Sequence, residues 1–170
     1  MKDDQRALED LAHRLGDERQ IVTFLLYKLT VTHLMLAADE RRFVPEALEE
    51  VEEAVSLLRE GELRRDAALR GLAALWTTDP EELTLADLAR RAPPPFDHVF
   101  ADHLAAFREL AAEIERTAGA NRALARSDLS VVTDQLDQLT GTARTVPTTY
   151  DAHGQIDANG AVGGRLREVL

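Results

Sequence analysis

PFDHVFADHLAAFRELAAEIERTAGANRALARSDLSVVTDQLDQL, residues 95–139, decides the fold of this chain. It reads as one long helix. Steps of seven from Leu104 give Leu104, Ala111, Ala118, Ala125, Val132 and Leu139, the apolar row that a helix presents to a neighbour. A second row, four residues earlier, begins apolar with Phe100, Phe107 and Ile114, then turns polar with Asn121, Asp128 and Gln135. Up to Asn121 the two rows make an ordinary packing seam; beyond it the seam carries side chains that need hydrogen bonds. A continuous helix here is roughly 60 Å long, whereas a compact domain of this chain length is only about 40 Å across. The C-terminal half is therefore expected to project or to bind something that the chain does not supply.

Working outward, the remainder also reads as helical. From about residue 4 to 38, Leu8, Leu11, Leu15, Val22, Leu25, Leu29 and Leu36 alternate spacings of three and four, with Glu18 and Thr32 in the gaps. Gly16 weakens this helix by roughly 1 kcal/mol relative to alanine and allows a frayed or bent first turn. A break is expected near 39–44. Pro45 then suits the first turn of a second helix, whose rows run through Val44, Leu48, Val51, Val55, Leu58, Leu69, Leu72 and Trp76. Gly61, Glu62 and Arg65 mark a weak point in its middle, and Trp76 is expected in the core or at the bundle end. Asp79 and Pro80 make a turn, and Thr84 with Asp87 forms a capping signature for a short helix over 85–91. Pro93, Pro94 and Pro95 end it.

The fold class is all-α: an elongated antiparallel helical bundle or coiled coil of about three long helices plus one short helix. Its helical domain is expected over 4–140, with the long helix at about 96–139. Residues 141–170 hold five of the nine glycines, and are expected to be a disordered, flexible tail.

Composition narrows the function. A formal net charge of -11 repels nucleic acid and anionic membrane surfaces. The absence of cysteine removes disulfides, thiolate metal sites and cysteine nucleophiles. No apolar stretch is expected to span a bilayer, and the charged start MKDDQRALEDL is unlike a signal peptide; a soluble cytoplasmic protein with no membrane insertion follows. No paired Glu-x-x-His set, H-E-x-x-H or phosphate loop occurs. Glu49, Glu50, Glu52 and Glu53 point around several faces of a helix and read as a solvated surface. His98 and Asp102 suit an exposed pair or cap, and His33 a seam position. The chain thus reads as a binding protein, not an enzyme, with neither metal nor cofactor.

ANRALARSDLSVVTDQLDQL at 120–139 and YDAHGQ at 150–155 are the segments through which the chain resembles the FlgN family of flagellar export chaperones. An Asn-x-x-Leu element, here Asn121 to Leu124, is followed at a distance by a tyrosine and glycine signature, and FLLYKLTVTHLMLAADERRFVPEALEEVEEAV is similar to the arginine-rich and alanine-rich branch of that family. The similarity covers roughly residues 5–155; the capped short helix and triple proline between 77 and 95 depart from the family pattern. The resemblance implies a chaperone that binds C-terminal helices of the hook–filament junction proteins FlgK and FlgL and delivers them to the export gate protein FlhA.

On a helical wheel, Leu124, Leu129, Val131, Val132, Leu136 and Leu139 cover roughly 160°, against about 100° for one packed face. One edge can serve the bundle and the other a client helix. In that reading Leu124, Leu129, Val132, Leu136 and Leu139 grip the client, Asn121, Asp128 and Gln135 set its register, and Tyr150, by resemblance, docks on FlhA. The same residues can instead close an ordinary intramolecular bundle. The competing function is a structural coiled-coil adaptor or oligomerisation module, and a homodimer of the free chain is compatible with either.

Overall fold

The structure, a computed structural model, describes residues 2–140, with side chains described except at 128–129, 131–132 and 136–140. Four α-helices follow in order: α1 (Lys2–Ala37), α2 (Val44–Leu75), α3 (Leu85–Arg91) and α4 (Phe96–Thr140), with a 3-10 turn at Arg41–Phe43 before α2. No strand occurs among the described residues, in agreement with the all-α expectation. The chain divides into two units, 1–128 and 129–170. The expected tail, 141–170, lies outside the described residues.

The gaps in the α1 pattern are filled by buried polar residues. Leu8, Leu11, Leu15 and Leu25 are buried, and so are Glu18 and Thr32. Thr32 satisfies its hydroxyl on the Lys28 carbonyl at 2.9 Å. Both helices run continuously through the glycines read as weak points. Gly16 lies within an α1 that begins at Lys2, and Gly61 lies within an α2 that runs unbroken to Leu75.

Gly61 is buried because α1 comes close: a Cβ there would meet Ile21 Cδ1 at 3.3 Å. Seven-residue steps back from it reach Ala54 and Ala47, both buried. The α2 seam thus includes this row of small residues, which admits the neighbouring helix; of the expected row, Leu72 is fully buried and Leu48 is exposed. In α4 the inward row is Phe100, Phe107, Ile114 and Asn121, of which Phe100 is fully buried. The row from Leu104 is only half-engaged, with Ala111 and Ala125 exposed. A helix turns 100° per residue, so a wide apolar arc cannot bury both edges against one neighbour.

Both long connections begin with left-handed caps. Glu40 N–H donates to the Met35 carbonyl and Asp39 N–H to that of Leu36, with Asp39 at φ 57°. Thr78 and Thr77 repeat the pattern on Ala73 and Ala74, with Thr77 at φ 52°. These are Schellman motifs built without glycine. The expected α3 cap forms: Thr84 Oγ1 accepts from Asp87 N–H at 3.2 Å and the Asp87 carboxylate accepts from Thr84 N–H at 3.2 Å. Those bonds, with the Thr84 hydroxyl foremost and Arg90 adding to them, hold the Asp87 carboxyl below its ordinary range. A cluster of Leu8, Leu11, Leu15, Leu72, Leu88 and Phe100 forms the core, and Trp76 packs against it.

The expectation that no stretch is apolar enough to cross a bilayer is corrected by α1, which contains an 18-residue window that is, by length and composition. Leu25 and Thr32 turn into the bundle, while Phe24, Tyr27 and Leu34 leave apolar surface exposed on the same turns.

Candidate functional site

Asn121, where the sequence pattern turns polar, is only 9% exposed. Its Nδ2 donates to the Leu29 carbonyl of α1 at 2.9 Å, and its Oδ1 lies 3.0 Å from His33 Nδ1. Since the Asn121 amide nitrogen is donating, its oxygen accepts, and His33 carries the proton on Nδ1. The polar step therefore pins α4 to α1 within the chain, with His33 at the seam. Leu124 follows one turn later, half-buried. Farther on, Gln135 is exposed. The side chains of Asp128, Leu129, Val132, Leu136 and Leu139 lie outside the described residues, as does Tyr150.

A second polar bridge crosses from α1 to α2, where Arg65 Nη1 donates to Glu18 Oε1 at 2.7 Å. Glu18 is 4% exposed, and its other oxygen, Oε2, is buried with no hydrogen-bond partner. Burial pushes the Glu18 carboxyl above its ordinary range, against the pull of Arg65, and Glu62 adds to the rise. On α4, burial and then the charge of Arg19 push His103 below the usual histidine range. Its Nδ1 is buried and unpartnered.

Beside the Arg65 bridge lies an apolar cavity of about 660 Å³. Leu11, Leu15, Val22 and Leu25 of α1 line it, together with Leu58 and Leu69 of α2. Phe107, Ala111 and Ile114 of α4 line it too, and Leu83, Leu85 and Leu88 contribute from α3 and the segment before it. Sequence periodicity missed this space, because each lining residue belongs to a normal seam on its own helix. The half-used Ala111 row was the available signal.

The remaining chemistry is that of a surface. No group of His, Cys, Asp and Glu among the described residues could hold a metal ion. His98 is exposed and lies 3.9 Å from Asp97, not against Asp102 as expected. Glu49, Glu52 and Glu53 are exposed, and Glu50 accepts from Lys28 Nζ at 2.8 Å.

No curated protein and no solved structure matches the chain. The family model described as FlgN protein matches residues 1–158, nearly the whole length, and this is a family of flagellar export chaperones, not of enzymes. Because that match spans nearly the whole chain, the chain belongs to the FlgN family.

Proposed function

We propose that this FlgN-family chaperone binds the C-terminal helical segments of FlgK and FlgL in the cytoplasm, prevents their premature assembly and delivers them to FlhA. The observation that carries the reading is the unbroken α4, which stays helical through Thr140, well past the clasp at Asn121. Leu124, Leu129, Val132, Leu136 and Leu139 recur along it with the spacing that an amphipathic client helix needs on its partner. Asp128 and Gln135 supply register-setting polar groups within that row, while Asn121 spends its hydrogen bonds on α1. Tyr150 serves FlhA.

The test is co-purification of the full chain with the C-terminal segments of FlgK and FlgL, followed by sizing. A stoichiometric complex that Val132→Asp abolishes, with helix content unchanged, supports the reading; failure of the folded chain to hold either segment overturns it. The adaptor alternative draws on Phe24, Tyr27 and Leu34, which leave an apolar stripe exposed on α1. It requires stable self-association without a client, in the simplest case as a homodimer.

A further inference from the structure

We propose that the groove between α1 and α4 at Arg19 and His103 is an anion site that takes a single carboxylate. Gly16, Arg19, Gln20 and Thr23 recur at the spacing that puts them on one stripe of α1, and His103 lines the same groove from α4. Unlike the leucines of the core, Arg19, Gln20 and Thr23 are exposed, so this groove of about 440 Å³ is open to solvent. Nothing lies within 4 Å of a Cβ built at Gly16, which leaves that end of it clear.

The groove holds donors that the chain itself does not use. Among the described residues the Arg19 guanidinium enters no ion pair and the Gln20 amide makes no hydrogen bond, on a chain where 31 acidic residues outnumber 20 basic ones. Thr23 is different: its hydroxyl donates to the Arg19 carbonyl at 2.8 Å and forms part of the wall. His103 supplies the third donor. Its ring packs against Phe107, with centroids 6.2 Å apart, and its Nδ1 is buried without a partner. A buried N–H is costlier to orphan than a lone pair, so the neutral ring carries its proton on Nε2. Burial and the charge of Arg19 keep that ring neutral, against a smaller upward pull from Asp102 on α4. The donor set thus has one positive charge and two neutral N–H groups. A guanidinium fork matches the two oxygens of a carboxylate, whereas a dianion would leave one charge uncompensated on an already acidic chain. A free small carboxylate and an acidic side chain of a protein share this chemistry.

The test follows the histidine ring resonances of the full-length chain by NMR during titration with sodium acetate, against sodium chloride at equal ionic strength. The expected result is a saturable displacement of the His103 resonances by acetate alone, with the exposed His13 and His98 unmoved. Bound acetate should also raise the pH at which His103 titrates, because a nearby negative charge favours the protonated ring. Arg19→Gln, at an exposed position, should weaken acetate binding at least tenfold. The peptide N-acetyl-Leu-Glu-Leu-amide, titrated in the same way, separates the two sources. Binding at least tenfold tighter than acetate assigns the site to an acidic side chain of a protein, and any smaller preference assigns it to a free carboxylate. A displacement by chloride equal to that by acetate, or acetate binding unchanged in Arg19→Gln, overturns the site. Should Arg19→Gln lose helix content, the contrast between acetate and chloride on the wild-type chain decides alone.

Discussion

Asn121 and His33, 88 positions apart in the chain, meet at 3.0 Å and hold α4 against α1 at the point where the inward row of α4 ceases to be apolar. The clasp has two bonds, since the same amide donates to the Leu29 carbonyl.

Asn121→Ala removes both bonds, and each such bond is worth about 1 kcal/mol net. The expected loss is about 2 kcal/mol of stability. His33→Ala removes only the shared bond. A double-mutant cycle read by urea unfolding should therefore show a coupling of about 0.5–1.5 kcal/mol between the two positions. Additive losses would mean that the side chains do not act together.

The glycines of α1 and α2 should respond in opposite senses. Nothing lies within 4 Å of a Cβ built at Gly16, so Gly16→Ala should gain about 0.5–1 kcal/mol from helix propensity alone. At Gly61 a Cβ already meets Ile21 Cδ1 at 3.3 Å. Gly61→Leu should cost about 2 kcal/mol or more by forcing α1 and α2 apart. Thermal unfolding of the two variants separates a glycine tolerated from one required.

These positions also mark what was legible in the sequence. The helices, their breaks and the Thr84–Asp87 cap follow from apolar spacing and capping chemistry, which act locally. Glu18 and Thr32 stood out as gaps in the α1 pattern, and both are buried. The Ala47, Ala54 and Gly61 seam was hidden because a hydrophobic count scores small residues as weak, although their size is what lets two helix backbones approach. The cavity was hidden for another reason: it lies between helices, and no single periodicity records the space left between them. Asn121 was legible as a polar step, but its partners on α1 were not, since hydrogen bonds over 88 and 92 positions leave no local signature.

Strain at the end of α2 should be removable. Thr77 is β-branched and sits at φ 52°, a region that costs an ordinary residue about 1–2 kcal/mol and glycine almost nothing. Thr77→Gly should raise stability by about 1 kcal/mol, less the entropy that glycine adds to the unfolded chain. Asp39→Gly, at φ 57°, should gain less, because aspartate tolerates this region better. Equal effects in a denaturant titration would show that branching at Cβ is not the source of the strain.

Glu18 sets a pH dependence of stability. Its carboxyl is raised in the folded chain, chiefly by burial, so the folded state takes up a proton at higher pH than the unfolded state. Stability from this group therefore rises as pH falls from neutrality through the raised value, and levels off below the ordinary carboxyl range. Glu18→Gln removes that dependence while keeping an acceptor for Arg65. Its melting temperature should exceed that of the wild type most at pH 8, with the gap narrowing toward pH 5. A gap that widens on acidification would mean that the ion pair with Arg65 outweighs burial.

Client capture and gate docking should separate genetically. Leu136 belongs to the apolar arc of α4, whereas Tyr150 lies beyond the helix in the sequence. An aspartate in an apolar helix-in-groove contact is desolvated without a partner, which costs several kcal/mol. Leu136→Asp should therefore weaken binding of the FlgK and FlgL segments by more than a hundredfold, with circular dichroism unchanged. Tyr150→Ala should leave that affinity within about twofold, since a change of 0.4 kcal/mol or less is all that a residue outside the contact transmits, and should instead weaken binding of the chaperone–client complex to the cytoplasmic domain of FlhA. Equal loss of both activities in either variant would place the two partners on one surface and refute the division between the α4 arc and the tyrosine.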